Sequence, residues 1–156
     1  MKKETILKFI SGSIAALFFY AAFSKLMDYD KSVEEMRNQI FSVTIANILT
    51  WLIPTIEATL TFLLLFPNTI KIALWASLFL LSAFTIYIGV VMTGVFGRIP
   101  CSCGGILKNM SYDTHLFFNL FFIGISIIGI SLEYNWKIYN RWFHFFKRKE
   151  HANQYK

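Results

Sequence analysis

The chain has 156 residues, 56% of them apolar, 18% aromatic and only 15% charged, whereas soluble domains sit near 45–50% apolar and about 25% charged. Its net charge of +6 crowds at the two ends and in short stretches between long apolar runs, a distribution that excludes an ordinary soluble domain. It also argues against nucleic-acid binding, because Lys2-Lys3 and Lys147-Arg148-Lys149 flank hydrophobic spans, where basic residues meet anionic lipid and fix orientation. A bilayer core takes roughly 20 apolar residues per helix, so four such runs use about half the chain and leave no room for a separate soluble domain. The expected fold class is therefore all-α, a single integral membrane bundle of four transmembrane helices over residues 1–156.

In chain order, the first span is expected over about 6–27. Its apolar stretch is too long for a signal-peptide core and no small-x-small cleavage site follows it, so it reads as a retained helix. Gly12 and Ala16 give it a small-xxx-small face suited to close packing against a neighbour. The polar stretch from Asp28 to Thr44 places Val33, Met36 and Ile40 at helical spacing, which predicts a short helix lying on the membrane surface. A second span follows over about 45–66, and Pro67-Asn68 turns the chain. The third span is expected over about 70–96, where Gly94, Gly97 and Pro100 dismantle it. A loop over 97–114 leads to a fourth span over about 115–132. The tail, 133–156, mixes Trp136, Tyr139 and Trp142 with basic residues, a composition that suits a membrane–water interface.

Orientation follows from the basic residues. With four spans, both termini and the turn at Lys71 share one side, which holds ten of the 15 Lys and Arg; the other side holds Lys25, Lys31, Arg37, Arg98 and Lys108. The richer side is the cytoplasmic one. Both termini and the basic tail are thus expected inside a bacterial inner membrane, and the 97–114 loop outside, facing the periplasm.

That loop carries the only two cysteines, Cys101 and Cys103, within Pro100-Cys101-Ser102-Cys103-Gly104-Gly105. Disulfides persist in oxidising compartments outside the cytoplasm, so location and chemistry agree. In an extended chain residues two apart lie roughly 6.6 Å apart on one face, near the upper limit for a bridge, so closing one needs a tightened turn. A bond in so small a ring is strained, and strained, exposed bridges are the ones used in exchange. Gly104 and Gly105 supply the backbone freedom and clear space for an incoming thiolate, Pro100 stiffens the approach, and Arg98 and Lys108 are placed to lower a thiol pKa. Two other readings stand beside this one. A structural staple is disfavoured because a bridge across one residue closes almost no loop. A copper or zinc site would draw on Cys101, Cys103, His115 and Asp113, but the spacing matches no strong zinc pattern. One cysteine pair permits no internal relay between two dithiols, so exchange requires a partner. A thioredoxin-like periplasmic protein is the candidate on one side and a quinone the candidate on the other.

Glu57 lies twelve residues into the second span, roughly 18 Å along a helix, and a carboxylate at mid-membrane marks a functional site or a specific pairing. Thr50, Pro54, Glu57 and Thr61 form one polar stripe expected to face the bundle interior. Lys25 is the nearest counter-ion in topology. Glu57 reads either as a proton acceptor or quinone-site residue beneath the cysteines, or as a paired carboxyl that fixes helix register. Ser82, Thr85, Gly89 and Thr93 form a second stripe, read as packing and hydrogen-bond glue. His115 and Asn119, one turn apart at the outer end of the fourth span, are candidates to line the site under the cysteine loop, or to cap the interface.

These pieces together resemble the MauE/DoxX group of redox-associated membrane proteins, and specifically its MauE-like branch. The resemblance rests on Phe23-Ser24-Lys25-Leu26 with Asp28, on Pro54 with Glu57, on Phe84 and Tyr87, on Pro100 to Gly105, and on His115 to Asn119. It covers nearly the whole chain. It implies a four-helix bundle similar in outline to the membrane oxidoreductases that reduce vitamin K, a role like that of MauE in maturing the disulfide-rich small subunit of methylamine dehydrogenase, and, through DoxX-like relatives, a link to quinones. The chain departs from the vitamin K reductase pattern in having no Cys-x-x-Cys and no second cysteine pair. The expected function is a membrane thiol–disulfide redox protein; the alternative is a non-catalytic assembly factor or metal-handling subunit that docks through the same loop.

Overall fold

The computed structural model describes residues 3–95 and 112–153, with side chains for 3–95 and 114–134. All described elements are helical: α1 (Lys3–Met27), α2 (Tyr29–Arg37), α3 (Val43–Leu65), α4 (Ile70–Met92) and α5 (Tyr112–Asn153). Four stretches are long and apolar enough to cross a membrane, namely α1, α3, α4 and Thr114–Tyr134 within α5.

Helix α1 buries Ile10, Ser11, Ile14, Ala15, Phe18 and Ala22, a single stripe at the three- and four-residue spacing of one helical face. The stripe meets α3, whose buried residues include Thr50, Pro54, Glu57, Thr61 and Leu64, so the polar stripe of this helix does face inward. Helix α5 packs on α4 and α1. It approaches them closely at Gly129, where an added Cβ would lie 3.0 Å from Ile10 and 3.3 Å from Leu74. The core gathers Ile14, Phe18, Leu60, Leu64, Leu74 and Leu81 from three helices.

The outward faces are as apolar as the core. Phe9, Phe79 and Phe117 are 75%, 76% and 73% exposed, which would be untenable in water over so large an area. In lipid it is the expected surface, with the backbone groups satisfied inside the helices.

Local chemistry sets the helix ends. Ser42 caps α3, its side chain accepting from the Ile45 N–H at 3.5 Å. At the far end of α3 the Thr69 hydroxyl donates to the Leu63 carbonyl at 2.7 Å, satisfying a terminal acceptor across the Pro67-Asn68 turn. Helix α4 stops at Met92, short of the expected 96, because Gly94 adopts φ +73, a left-handed conformation only glycine takes without strain.

The fourth membrane-length stretch, Thr114–Tyr134, agrees with the span expected over about 115–132, and the helix that carries it begins at Tyr112 and continues to Asn153; after Gly129 the sequence up to that point holds neither Gly nor Pro to break it. Two further expectations are corrected. Gly12 and Ala16 of α1 are exposed, and a Cβ on Gly12 would meet nothing within 4 Å. Close packing of α1 runs instead through Ser11, Ala15 and the Gly129 contact. On α4, Thr85 and Thr93 donate to the carbonyls of Leu81 and Val90 in their own helix, so these hydroxyls do not join helices, in keeping with how Ser and Thr bond back in apolar surroundings.

Candidate functional site

At the end of the bundle where α1 finishes and α5 starts, the four spans line a cavity of about 350 Å³, to which α2 also contributes. Its walls are mostly apolar, with Phe18, Phe84 and Phe118 among them, and its polar side chains come from all five helices and from the loop between α2 and α3.

The strongest feature is an ion pair. Lys25, in the last turn of α1, places its Nζ 2.9 Å from Oε1 and 3.0 Å from Oε2 of Glu57 on α3. The two side chains are only 13% and 4% exposed. Lys25 also donates to the Ala21 carbonyl at 3.2 Å, so all three of its N–H groups are used. Pro54 sits one turn before Glu57 and has no N–H to return to the Thr50 carbonyl. The Thr61 hydroxyl, one turn after Glu57, donates to the Glu57 carbonyl at 2.9 Å and lies 3.4 Å from the Ala15 carbonyl of α1. The α1–α3 seam is thus fixed at two heights, by a charge pair and by a hydroxyl.

A second linkage joins α4 to the chain just beyond α2. The Tyr87 hydroxyl donates to Gln39 Oε1 at 2.6 Å, and the Gln39 amide donates to the Glu35 carbonyl at 3.1 Å. Phe41 stacks on Tyr87 with ring centroids 5.6 Å apart, and the Ser32 hydroxyl donates to the Lys25 carbonyl at 3.0 Å. Helix α2 buries none of its own residues; it is attached by these contacts together with the Tyr29–Trp51 ring contact at 5.1 Å and the Arg37 Nε–H donated to Asn47 Oδ1 at 3.1 Å.

His115 and Asn119, on the first turns of α5, are 9% and 5% exposed and both line the cavity. Among the described residues the Asn119 amide nitrogen Nδ2 is buried with no hydrogen-bond partner.

Of the residues singled out from sequence, Lys25, Glu57, His115 and Asn119 therefore converge on one cavity. Cys101 and Cys103, with Pro100, Ser102, Gly104 and Gly105, lie outside the described residues. The segment that carries them leaves from α4 and returns through α5, and both helices line the cavity near those ends, through Tyr87 and Ile88 and through His115 and Asn119. Among the described residues no three His, Cys, Asp or Glu side chains converge to hold a metal ion. Sequence reasoning missed Gln39. Its only local signal is the four-residue spacing from Glu35, which many surface glutamines share.

Residues 3–132 match the family model of the methylamine utilisation protein MauE. No curated protein and no solved structure matches the chain. The matched segment takes in all four membrane-length stretches but for the last two residues of the fourth, together with both linkages around the cavity. On this extent of agreement, the chain is a multi-pass helical membrane protein that belongs to the MauE family.

Proposed function

We propose that this protein performs thiol–disulfide exchange at Cys101 and Cys103 on the outer face of the cytoplasmic membrane, with a thioredoxin-like or maturing protein of the periplasm as partner. The observation that carries the reading is the sequence itself: the only two cysteines stand one residue apart, followed by two glycines, between two membrane spans. Family membership supports a place in methylamine utilisation. The excess of basic residues on the side of the termini supports the outward position of the loop.

The exchange balances without any further reagent. A thiolate of the partner attacks one sulfur of the Cys101–Cys103 disulfide, and the other sulfur leaves as a thiolate and takes up a proton. The partner's second thiolate then attacks the mixed disulfide. The partner becomes a disulfide and the loop a dithiol, so two electrons and two protons have passed to Cys101 and Cys103. The reverse sequence oxidises the loop. In this scheme Gly104 and Gly105 give access, Pro100 and Ser102 shape the turn, and the Lys25–Glu57 pair with His115 and Asn119 forms the floor on which the loop's two anchoring helices stand.

Single-cysteine variants test the proposal. Cys101→Ser or Cys103→Ser, whichever leaves the attacking sulfur, should accumulate a reductant-sensitive mixed disulfide with a partner, and the double serine variant should not. Full partner maturation by both single variants, with no adduct from either, would rule exchange out and favour a docking or metal-carrying role.

A further inference from the structure

The family match ends at residue 132 and the membrane-length stretch at Tyr134, yet α5 continues as one helix to Asn153. A helix turns about 100° per residue. At that angle residues 136–148 sort without exception. Lys137, Asn140, Arg141, His144, Lys147 and Arg148 fall within one arc of about 120°. The seven remaining positions fill the opposite half, and all are apolar or aromatic, with Trp136, Trp142, Phe143 and Phe146 among them. The sorting stops at Lys149 and Glu150, which fall in the apolar half.

Composition alone does not ask for this order. Basic residues fix the orientation of a span by lying near its end, in any sequence. Sorting them from the aromatic residues along the helix serves a helix that meets, lengthwise, a boundary between apolar and polar media. Charge selects which boundary. From Tyr134 to Lys149 the chain holds no Asp or Glu, so the same helix of a second copy is repelled and an anionic surface is attracted. The nearest such surface is the leaflet from which α5 emerges after Tyr134.

We propose that residues 136–148 of α5 form a binding surface for anionic phospholipid, with the apolar half of the helix at the boundary of headgroups and acyl chains and the basic arc among the phosphates. A helix standing straight out of the bilayer would carry Arg148 about 21 Å beyond Tyr134, past the roughly 8 Å over which a surface charge is felt at physiological salt. Engagement along the whole stretch therefore draws its axis toward the membrane plane, and burial of its far part is the observation that decides. The surface stands independently of the cysteines and of the cavity at the other end of the bundle.

Fluorescence of the full chain in nanodiscs tests the surface without any thiol chemistry. With Trp51→Phe, Trp75→Phe and Trp136→Phe in place, Trp142 is the one tryptophan left. The probes are discs of phosphatidylcholine and discs of an equal mixture with phosphatidylglycerol, both with acyl chains brominated near the glycerol. Quenching of Trp142 should be at least about threefold greater in the mixed discs, and molar salt should erase the difference. Lys137→Gln/Arg141→Gln should lower the ratio of bound to free helix about 25-fold, about fivefold for each charge. Lys137→Ile/Ile138→Lys with His144→Phe/Phe145→His keeps the composition, ends the sorting, and should lose the quenching. Hydrogen exchange of the 136–148 amides in the unmodified chain, slower in the mixed discs, reads the same event without any substitution. Equal quenching or equal exchange in the two kinds of disc overturns the proposal. So does undiminished binding by the unsorted variant, which would mean that charge alone suffices, and so does protection gained only on adding polyglutamate, which would assign the helix to an acidic protein.

Discussion

Neither Lys25 nor Glu57 could sit where it does without the other. A lone charge at 13% or 4% exposure within a membrane bundle is strongly penalised, and the two bonds from Nζ to the carboxylate remove that penalty by pairing. The consequence is asymmetric. Lys25→Met, which strands the carboxylate, should lower stability by roughly 3–5 kcal/mol. The double variant Lys25→Met/Glu57→Leu should recover most of the loss, because two apolar side chains replace a pair whose net contribution is small. Detergent-induced unfolding of the three proteins, followed by circular dichroism, reads this directly; a double variant as unstable as the single one would show that the pair carries a role in folding beyond mutual neutralisation. At this scale the sequence is half legible. The position of Glu57 at mid-span marks it as a paired or functional carboxyl, and Lys25 is the nearest cation by topology. That their depths match depends on the tilt and stagger of α1 against α3, which the length of a span does not encode.

Among the elements, α2 is held differently from the spans. It buries no residue of its own and is held by Ser32 to Lys25, Arg37 to Asn47 and the Tyr29–Trp51 ring contact, with Gln39 to Tyr87 and the stacking of Phe41 on Tyr87 just beyond its end. Tyr87→Phe keeps the stacking and removes one hydrogen bond, about 1 kcal/mol. Hydrogen exchange of the amides in Tyr29–Arg37 should therefore quicken about fivefold, while Ile10 to Ala22 of α1 stays protected. Equal acceleration in α1 would mean that α2 opens with the bundle and is no separate unit. The spans themselves are readable as elements because lipid demands a long apolar run in each, and Ser42, the Pro67-Asn68 turn and Gly94 punctuate them. The ends are less readable. Helix α5 runs on through basic and aromatic residues to Asn153, since nothing in that stretch breaks a helix even though it has left apolar composition behind. Gly12 and Ala16 illustrate the opposite error: a small-residue motif permits close packing without choosing which face is used.

For the molecule as a whole, the exposed phenylalanines and the four membrane-length helices support a bundle surrounded by lipid, with polar groups drawn inward to one end. That end holds the cavity, lined by the end of α4 and the start of α5, the two helices between which the cysteines stand in sequence. The class of fold is legible from composition alone, because apolar residues this abundant have no other place to go. The cavity is not, since its lining residues come from five helices scattered along the sequence, and that Asn119 Nδ2 has no partner among the described residues is visible only once its neighbours are known.

The central claim is that Cys101 and Cys103 form a reducible disulfide outside the membrane, and accessibility labelling of intact cells tests it most directly. A membrane-impermeant maleimide that adds mass should give no product on the full chain before treatment and two added tags after mild external reduction, with the membrane still sealed. Labelling that appears only after the membrane is permeabilised, or two freely reactive thiols under oxidising conditions, would contradict it.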